Sequence, residues 1–158
     1  MEALYTDQFS YLAWIVLFPL IGAIINGVAG SKLPRKVVHW VGCGTVFVSF
    51  LLSLASFRSL WISGTEGEHG AHYGEFTYKA YEWIYAGGLE IDISFLLDPL
   101  SAVMILIVTG VGFVIHLYSV GYMEDDPGVW RYFAYLNLFI FSMLLLVLGK
   151  NMIVTFIG

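Results

Sequence analysis

The chain has 158 residues, of which 59% are hydrophobic and 12% charged, with a formal net charge of −5. A soluble domain carries about 25% charged residues, so this composition describes an integral membrane protein and excludes an ordinary soluble globule. The lack of a basic stripe excludes nucleic acid as a partner. The single cysteine, Cys43, excludes an intrachain disulfide and a thiolate metal site built from this chain alone.

The segment before residue 11 lacks the positive region of a signal peptide, so the first helix is expected to be retained. A first span is expected over about 11–29, with Pro19 in its middle. Membrane helices tolerate such a proline where neighbours re-satisfy the freed carbonyl. Gly22, Asn26 and Gly30 recur at four-residue spacing, as do Ala23 and Gly27, a pattern that permits close helix packing. The connection that follows carries Lys32, Arg35 and Lys36 and no acid.

A second span is expected over about 37–60, with Trp40 and Trp61 at its ends, where interfacial aromatics belong. Gly42, Gly44, Ser49, Ser53 and Ser56 predict protein contacts on one side of it. The segment 62–92 differs in kind, being rich in glycine and acidic residues. Period-two alternation over 89–95 predicts a short strand, 77–85 a partner strand, and Gly87-Gly88 the turn of an extramembrane β-hairpin. His69 and His72 lie among Glu66, Glu68 and Glu75, a pattern read as a solvated loop in preference to a metal site. No metal is therefore expected in this chain.

The third span, about 99–123, organises the rest. It has no Asp, Glu, Lys or Arg and one group of a type that titrates near neutral pH, His116. Steps of three and four residues place Thr109, Gly112, His116 and Ser119 on one helical stripe. Val111, Val114, Ile115 and Leu117 make a greasy remainder. An intramembrane polar group is a functional-site hypothesis by default. Asp98 and Pro99 open the span as N-cap and first helical residue, a structural role. Pro127-Gly128 marks a turn, and a fourth span runs over about 130–148, carrying Asn137. Residues 151–158 start a fifth apolar run that reaches only about 10 Å as a helix. The expectation is a chain that stops within its fifth span.

Lys and Arg counts near the span ends place the 30–36 connection in the cytoplasm or matrix, and so the N-terminus and the hairpin outside. The fold class expected is an all-α polytopic membrane bundle, with four complete spans, a partial fifth and an outside hairpin.

The strings TGVGFVIHLY over 109–118 and RYFAYLNLFIFSMLLLVL over 131–148, with Asp98-Pro99-Leu100-Ser101 ahead of them, resemble the largest antiporter-like subunit of proton-pumping NADH-quinone oxidoreductase, respiratory complex I. That family comprises subunit L in bacteria and NADH dehydrogenase subunit 5 in mitochondria. The resemblance is strongest over 92–158 and collinear from the N-terminus. It implies an antiporter-like helix bundle in a bacterial plasma membrane or mitochondrial inner membrane. It also implies a role in coupling NADH:quinone electron transfer to proton pumping, with other membrane-arm subunits as partners. NAD, FMN, iron–sulfur clusters and quinone are then expected in partner subunits, and no redox cofactor here. Multi-subunit cation/proton antiporters share the plan, and a subunit of one of these is the alternative; a non-pumping structural fragment is a third.

Family members continue for several hundred residues. After a glycine matching Gly158 they carry a Trp-Glu-Gly string, whose glutamate pairs with a lysine on a later helix. Residues 1–158 lack both, so no pumping is expected from them alone. Lys150 departs from the acidic residue common at its position. Candidates for a proton path within the chain are His116, Thr109, Ser119 and Asn137. A histidine titrates near pH ~6.5 when unperturbed, which suits reversible protonation. Each candidate also has a structural reading. His116 serves equally as a packing histidine bonded to a neighbouring helix. Asn137 makes an interhelical bond or holds a water, while Thr109 and Ser119 back-bond to their own helix. Arg131 is expected to pair at the interface with Asp125 or Asp126.

Overall fold

A computed structural model describes residues 11–65, 76–86 and 89–158, with side chains described over 12–62 and 94–158. The acidic loop with His69 and His72 and the Gly87-Gly88 turn lie outside the described residues. Among the described residues, five α-helices and one antiparallel strand pair follow in order. Helix α1 (Tyr11–Ile24) runs through Pro19 and passes into a π-helical turn, Ile25–Ala29. Helix α2 is Arg35–Thr65, and strands β1 (Phe76–Ala86) and β2 (Leu89–Leu97) pair antiparallel. Helices α3 (Pro99–Tyr122), α4 (Val129–Leu148) and the short α5 (Met152–Ile157) complete the chain.

Among the described residues, four segments are long and apolar enough to cross a membrane: Leu12–Ala29, Arg35–Ile62, Pro99–Tyr122 and Val129–Leu148. This is an all-α polytopic architecture. Helix α2, with 31 residues, is about 46 Å long against a hydrocarbon core of roughly 30 Å. Its ends therefore project beyond the apolar layer, or it tilts.

The short connections 30–34 and 123–128 make α1 and α2, and α3 and α4, antiparallel neighbours. Contacts fix the register: Ser49 Oγ of α2 donates to the Ile15 carbonyl of α1 at 2.9 Å, and Phe47 meets Phe113 at 4.9 Å between ring centroids. Apolar lipid tails give helices no hydrophobic reason to associate, so packing depends on close approach and interhelical hydrogen bonds. Glycine supplies the approach at Gly112, where a Cβ would stand 2.6 Å from Ile140 Cδ1. Gly42 serves likewise against Phe133, 2.5 Å from where its Cβ would be. Ser49, Ser53 and Ser56 are buried. Gly44 departs from the expectation that placed it with them: nothing lies within 4 Å of where its Cβ would be.

The capping box at the start of α3 is complete. Ser101 N donates to Asp98 Oδ1 at 2.7 Å, and Asp98 N donates to Ser101 Oγ at 3.0 Å. Pro99 occupies the first turn, where no amide hydrogen is required. Strand β2 runs directly into this cap. It also touches the α4–α5 connection, where Phe95 bridges Gly149 and Lys150 N donates to the Ser94 carbonyl at 3.0 Å. Phe95 and Leu97 join Leu12, Ile105, Leu144, Leu148 and Val154 in the larger core. A smaller core of Val38, Val129 and Phe133 sits at the other end of the bundle.

Candidate functional site

The small core at that far end is bordered by polar groups from all four spans. Helix α3 buries Thr109, Gly112, His116 and Ser119, and leaves Val111, Val114, Ile115 and Leu117 exposed. The stripe therefore faces protein and the remainder faces outward.

His116 is fully buried. Its Nδ1 lies 2.7 Å from the Gly112 carbonyl oxygen. A carbonyl only accepts, so Nδ1 carries the proton in the neutral ring, and Nε2 is left with a bare lone pair. No protein atom bonds that Nε2. Asn137 of α4 lies beside the ring. Its Oδ1 accepts from Thr45 Oγ1 at 3.3 Å, while its Nδ2 is buried and unpaired. The carboxamide and the ring lie within interaction distance of each other, so each can serve the other's unpaired atom. If His116 gains a proton at Nε2, it becomes a donor there, and the same carboxamide offers its oxygen after a half-turn.

Thr109 and Ser119 make the back-bonds to their own helix, Thr109 to Ile105 O at 2.6 Å and Ser119 to Ile115 O at 2.7 Å. Ser119 also meets the Tyr132 hydroxyl at 3.0 Å, which ties α3 to α4. Thr109 lies seven residues from His116, about 10 Å along the helix, so the structure does not bring it to the ring. Arg131 takes a partner other than the one expected. Its guanidinium lies over the Trp130 ring at 4.8 Å, and Asp126 accepts from Gly128 N at 2.6 Å instead. The turn 126–128 satisfies the carboxylate locally, and this removes the reason for an ion pair.

Three further residues belong to the site although the stripe on α3 did not point to them. Asn26, in the π-helical turn, is fully buried, with Nδ2 donating to the Val38 carbonyl at 3.3 Å and Oδ1 unpaired. His39 buries an unpaired Nε2. Phe133 touches both imidazoles, its ring 5.3 Å from that of His39 and 6.0 Å from that of His116. The sequence signal was present for Asn26 and His39, both polar residues within apolar spans. Asn26 read as part of a packing stripe, and His39 was not singled out.

His39 also borders a cavity of about 520 Å³ on the outer face between α2 and α3, walled by Trp40, Cys43, Phe47 and Phe113. That cavity is almost wholly apolar and lies outside the polar cluster. Among the described residues no group of three or more His, Cys, Asp or Glu gathers to hold a metal.

A family profile described as "NADH-Ubiquinone oxidoreductase (complex I), chain 5 N-terminus" matches residues 83–133. NADH-quinone oxidoreductase subunit L of Neisseria meningitidis is 39% identical over 153 residues, 96% of this chain and 21% of that protein. The subunit L of Mycobacterium tuberculosis is 38% identical over 155 residues, covering 97% of this chain and 23% of its own length. NADH-ubiquinone oxidoreductase chain 5 of Rhizopus stolonifer is 35% identical over 148 residues, 94% of this chain and 21% of that protein. The chain spans about a fifth of the length of these curated relatives.

Proposed function

Because the chain belongs to the subunit L (chain 5) family of NADH-quinone oxidoreductase and corresponds to about a fifth of such a subunit, we propose that it supplies helices of a proton-translocating membrane-arm subunit. In this reading NADH:quinone electron transfer occurs elsewhere in the complex, and protonation changes are relayed through polar residues within the membrane. This chain holds no redox centre; NAD, FMN, iron–sulfur clusters and quinone belong to partner subunits. Its partners are other membrane-arm subunits and the lipid bilayer. The site is the inner membrane of a bacterium or mitochondrion, with the N-terminus outside.

The observation that carries a role for this chain's own residues is the state of His116. It is a titratable group buried within an uncharged span, with Nδ1 fixed by Gly112 and Nε2 open toward Asn137. A ring held by one nitrogen accepts and returns a proton at the other without reorienting. Asn137 stabilises both states through its two ends. Ser119 and Tyr132 hold α3 and α4 in register beside it. Thr109 stands deeper on the same stripe and completes the set of candidates.

The test is His116→Ala in the whole complex. Proton pumping per NADH oxidised is expected to fall more than NADH oxidation or assembly does. Equal loss of all three, or no loss, would remove the relay. Repeating the measurement with a sodium gradient in place of a proton gradient separates this reading from a cation/proton antiporter subunit.

A further inference from the structure

Five buried side-chain atoms among the described residues have no hydrogen-bond partner: Asn26 Oδ1, His39 Nε2, Ser94 Oγ, His116 Nε2 and Asn137 Nδ2. Ser94 lies at the hairpin end of the bundle, and the other four gather at the opposite end. A buried polar atom left unpaired loses its hydration without a return, and an interhelical hydrogen bond within a membrane returns little on average. The bonds from Asn26 to Val38 and from Thr45 to Asn137 leave Asn26 Oδ1 and His39 Nε2 without partners, and His116 Nε2 and Asn137 Nδ2 with no more than each other. Buried polar atoms of this kind are normally satisfied by ordered water, which needs two to four polar partners.

The four residues also fall in order of depth. Asn26 is three residues from the end of the π-helical turn, Ala29, and so lies about 4 Å in along the axis. His39 is four residues past Arg35, the start of α2, and Phe133 four past Val129, the start of α4, each about 6 Å in. His116 is six residues before Tyr122, about 9 Å in, and Asn137 eight past Val129, about 12 Å in. All of these helix ends meet at the same end of the bundle, where Arg35 donates to the Glu124 carbonyl. Two polar groups thus lie outward of or level with the Phe133 ring, and two lie inward of it. Gly42 lets that ring seat against α2 beside Asn26, since a Cβ at residue 42 would collide with Phe133 and stand 3.4 Å from Asn26 Nδ2.

We infer that Asn26, His39, His116 and Asn137 line one water-holding inlet, opening beside the 30–34 connection, with His39 as its outer proton-exchanging group and the Phe133 ring as a partition before His116. What the inlet carries rests on the proton-relay reading above; that it holds water does not. Water bridging Asn26 Oδ1 and His39 Nε2 satisfies the outer pair. Water beside His116 Nε2 and Asn137 Nδ2 completes the inner pair, whose side chains also meet each other directly. A proton passes between the pairs only when Phe133 swings aside, so the partition prevents free equilibration of His116 with the aqueous phase.

The experiment is cysteine accessibility in the full complex, in a Cys43→Ser background. Single substitutions Asn26→Cys, His39→Cys, His116→Cys and Asn137→Cys are exposed to a cationic, membrane-impermeant methanethiosulfonate. Ile105→Cys and Ile140→Cys serve as dry positions. Residues 26 and 39 are expected to react from one side of the membrane only. Residues 116 and 137 are expected to react at least roughly tenfold more slowly than those, and to approach them when Phe133 is replaced by Ala or by the milder Leu. Absence of reaction at 26 and 39 from both sides overturns the inlet, since their polar atoms are then met by protein or lipid. Equal reaction at 116 and 105 overturns it as well. If 26 and 39 react while His116→Ala pumps normally, the inlet stands and the relay falls. If they do not react while His116→Ala abolishes pumping, the relay stands and the inlet falls.

Discussion

His116 was legible in the sequence because it is the sole residue of a type that titrates near neutral pH in a run without formal charges. The helical period alone assigns it a face with Thr109, Gly112 and Ser119. His39 was not legible in the same way. It follows Arg35 and Lys36, and a histidine there reads as the wet end of a helix. Only Phe133, from a helix more than ninety residues later in the chain, brings the two imidazoles to one ring. No local pattern encodes that contact. Asp98 is the opposite case, a role fully specified by its neighbours. Asp98→Ala is expected to remove the cap and cost about 1 kcal/mol, while Asp98→Asn keeps most of it. Thermal unfolding in detergent, with amide exchange at Ser101 as the local probe, measures both. An unchanged exchange rate in the alanine variant would refute the role.

At the scale of elements, the four spans follow from apolar runs, and their approximate ends from Pro, Gly and charge. Helix α2 extends past its expected limits at both ends, from 37–60 to Arg35–Thr65. An apolar window measures the length immersed in lipid, whereas backbone hydrogen bonding continues through Arg35 and Lys36 into water. Strand pairing followed from period-two alternation, with irregularities between Lys79 and Tyr81 and between Glu82 and Ile84 that alternation does not encode. Helix contact is where small residues matter, and not all of them do. Gly112→Val places a branched side chain against Ile140, and overpacking of this kind costs about 1–3 kcal/mol. Gly44→Val meets open space. The first variant is expected to lower assembly of the complex and its unfolding temperature, and the second to leave both near wild type. Equal behaviour of the two would show that close approach at residue 112 does not hold α3 against α4.

For the whole molecule, the membrane class and the family were both legible from composition and two long strings. The direction of insertion rests on few charges. With Lys32, Arg35 and Lys36 at one end, the 30–34 connection is expected in the cytoplasm or matrix. A cysteine at Ser31 is then expected to react with an impermeant reagent in inside-out vesicles and not in right-side-out ones; the reverse result inverts the topology and with it the side served by His39. The attachment of β2 has a consequence of its own. The strand is continuous with the cap of α3 and hydrogen-bonded to the connection that leads into α5. The hairpin is therefore a mechanical lever fastened at two points, and force applied to it is divided between the stripe that carries His116 and the helix that follows α4. A binder that clamps the hairpin from the aqueous phase would stiffen both together, some 30 Å of bilayer away from the inlet.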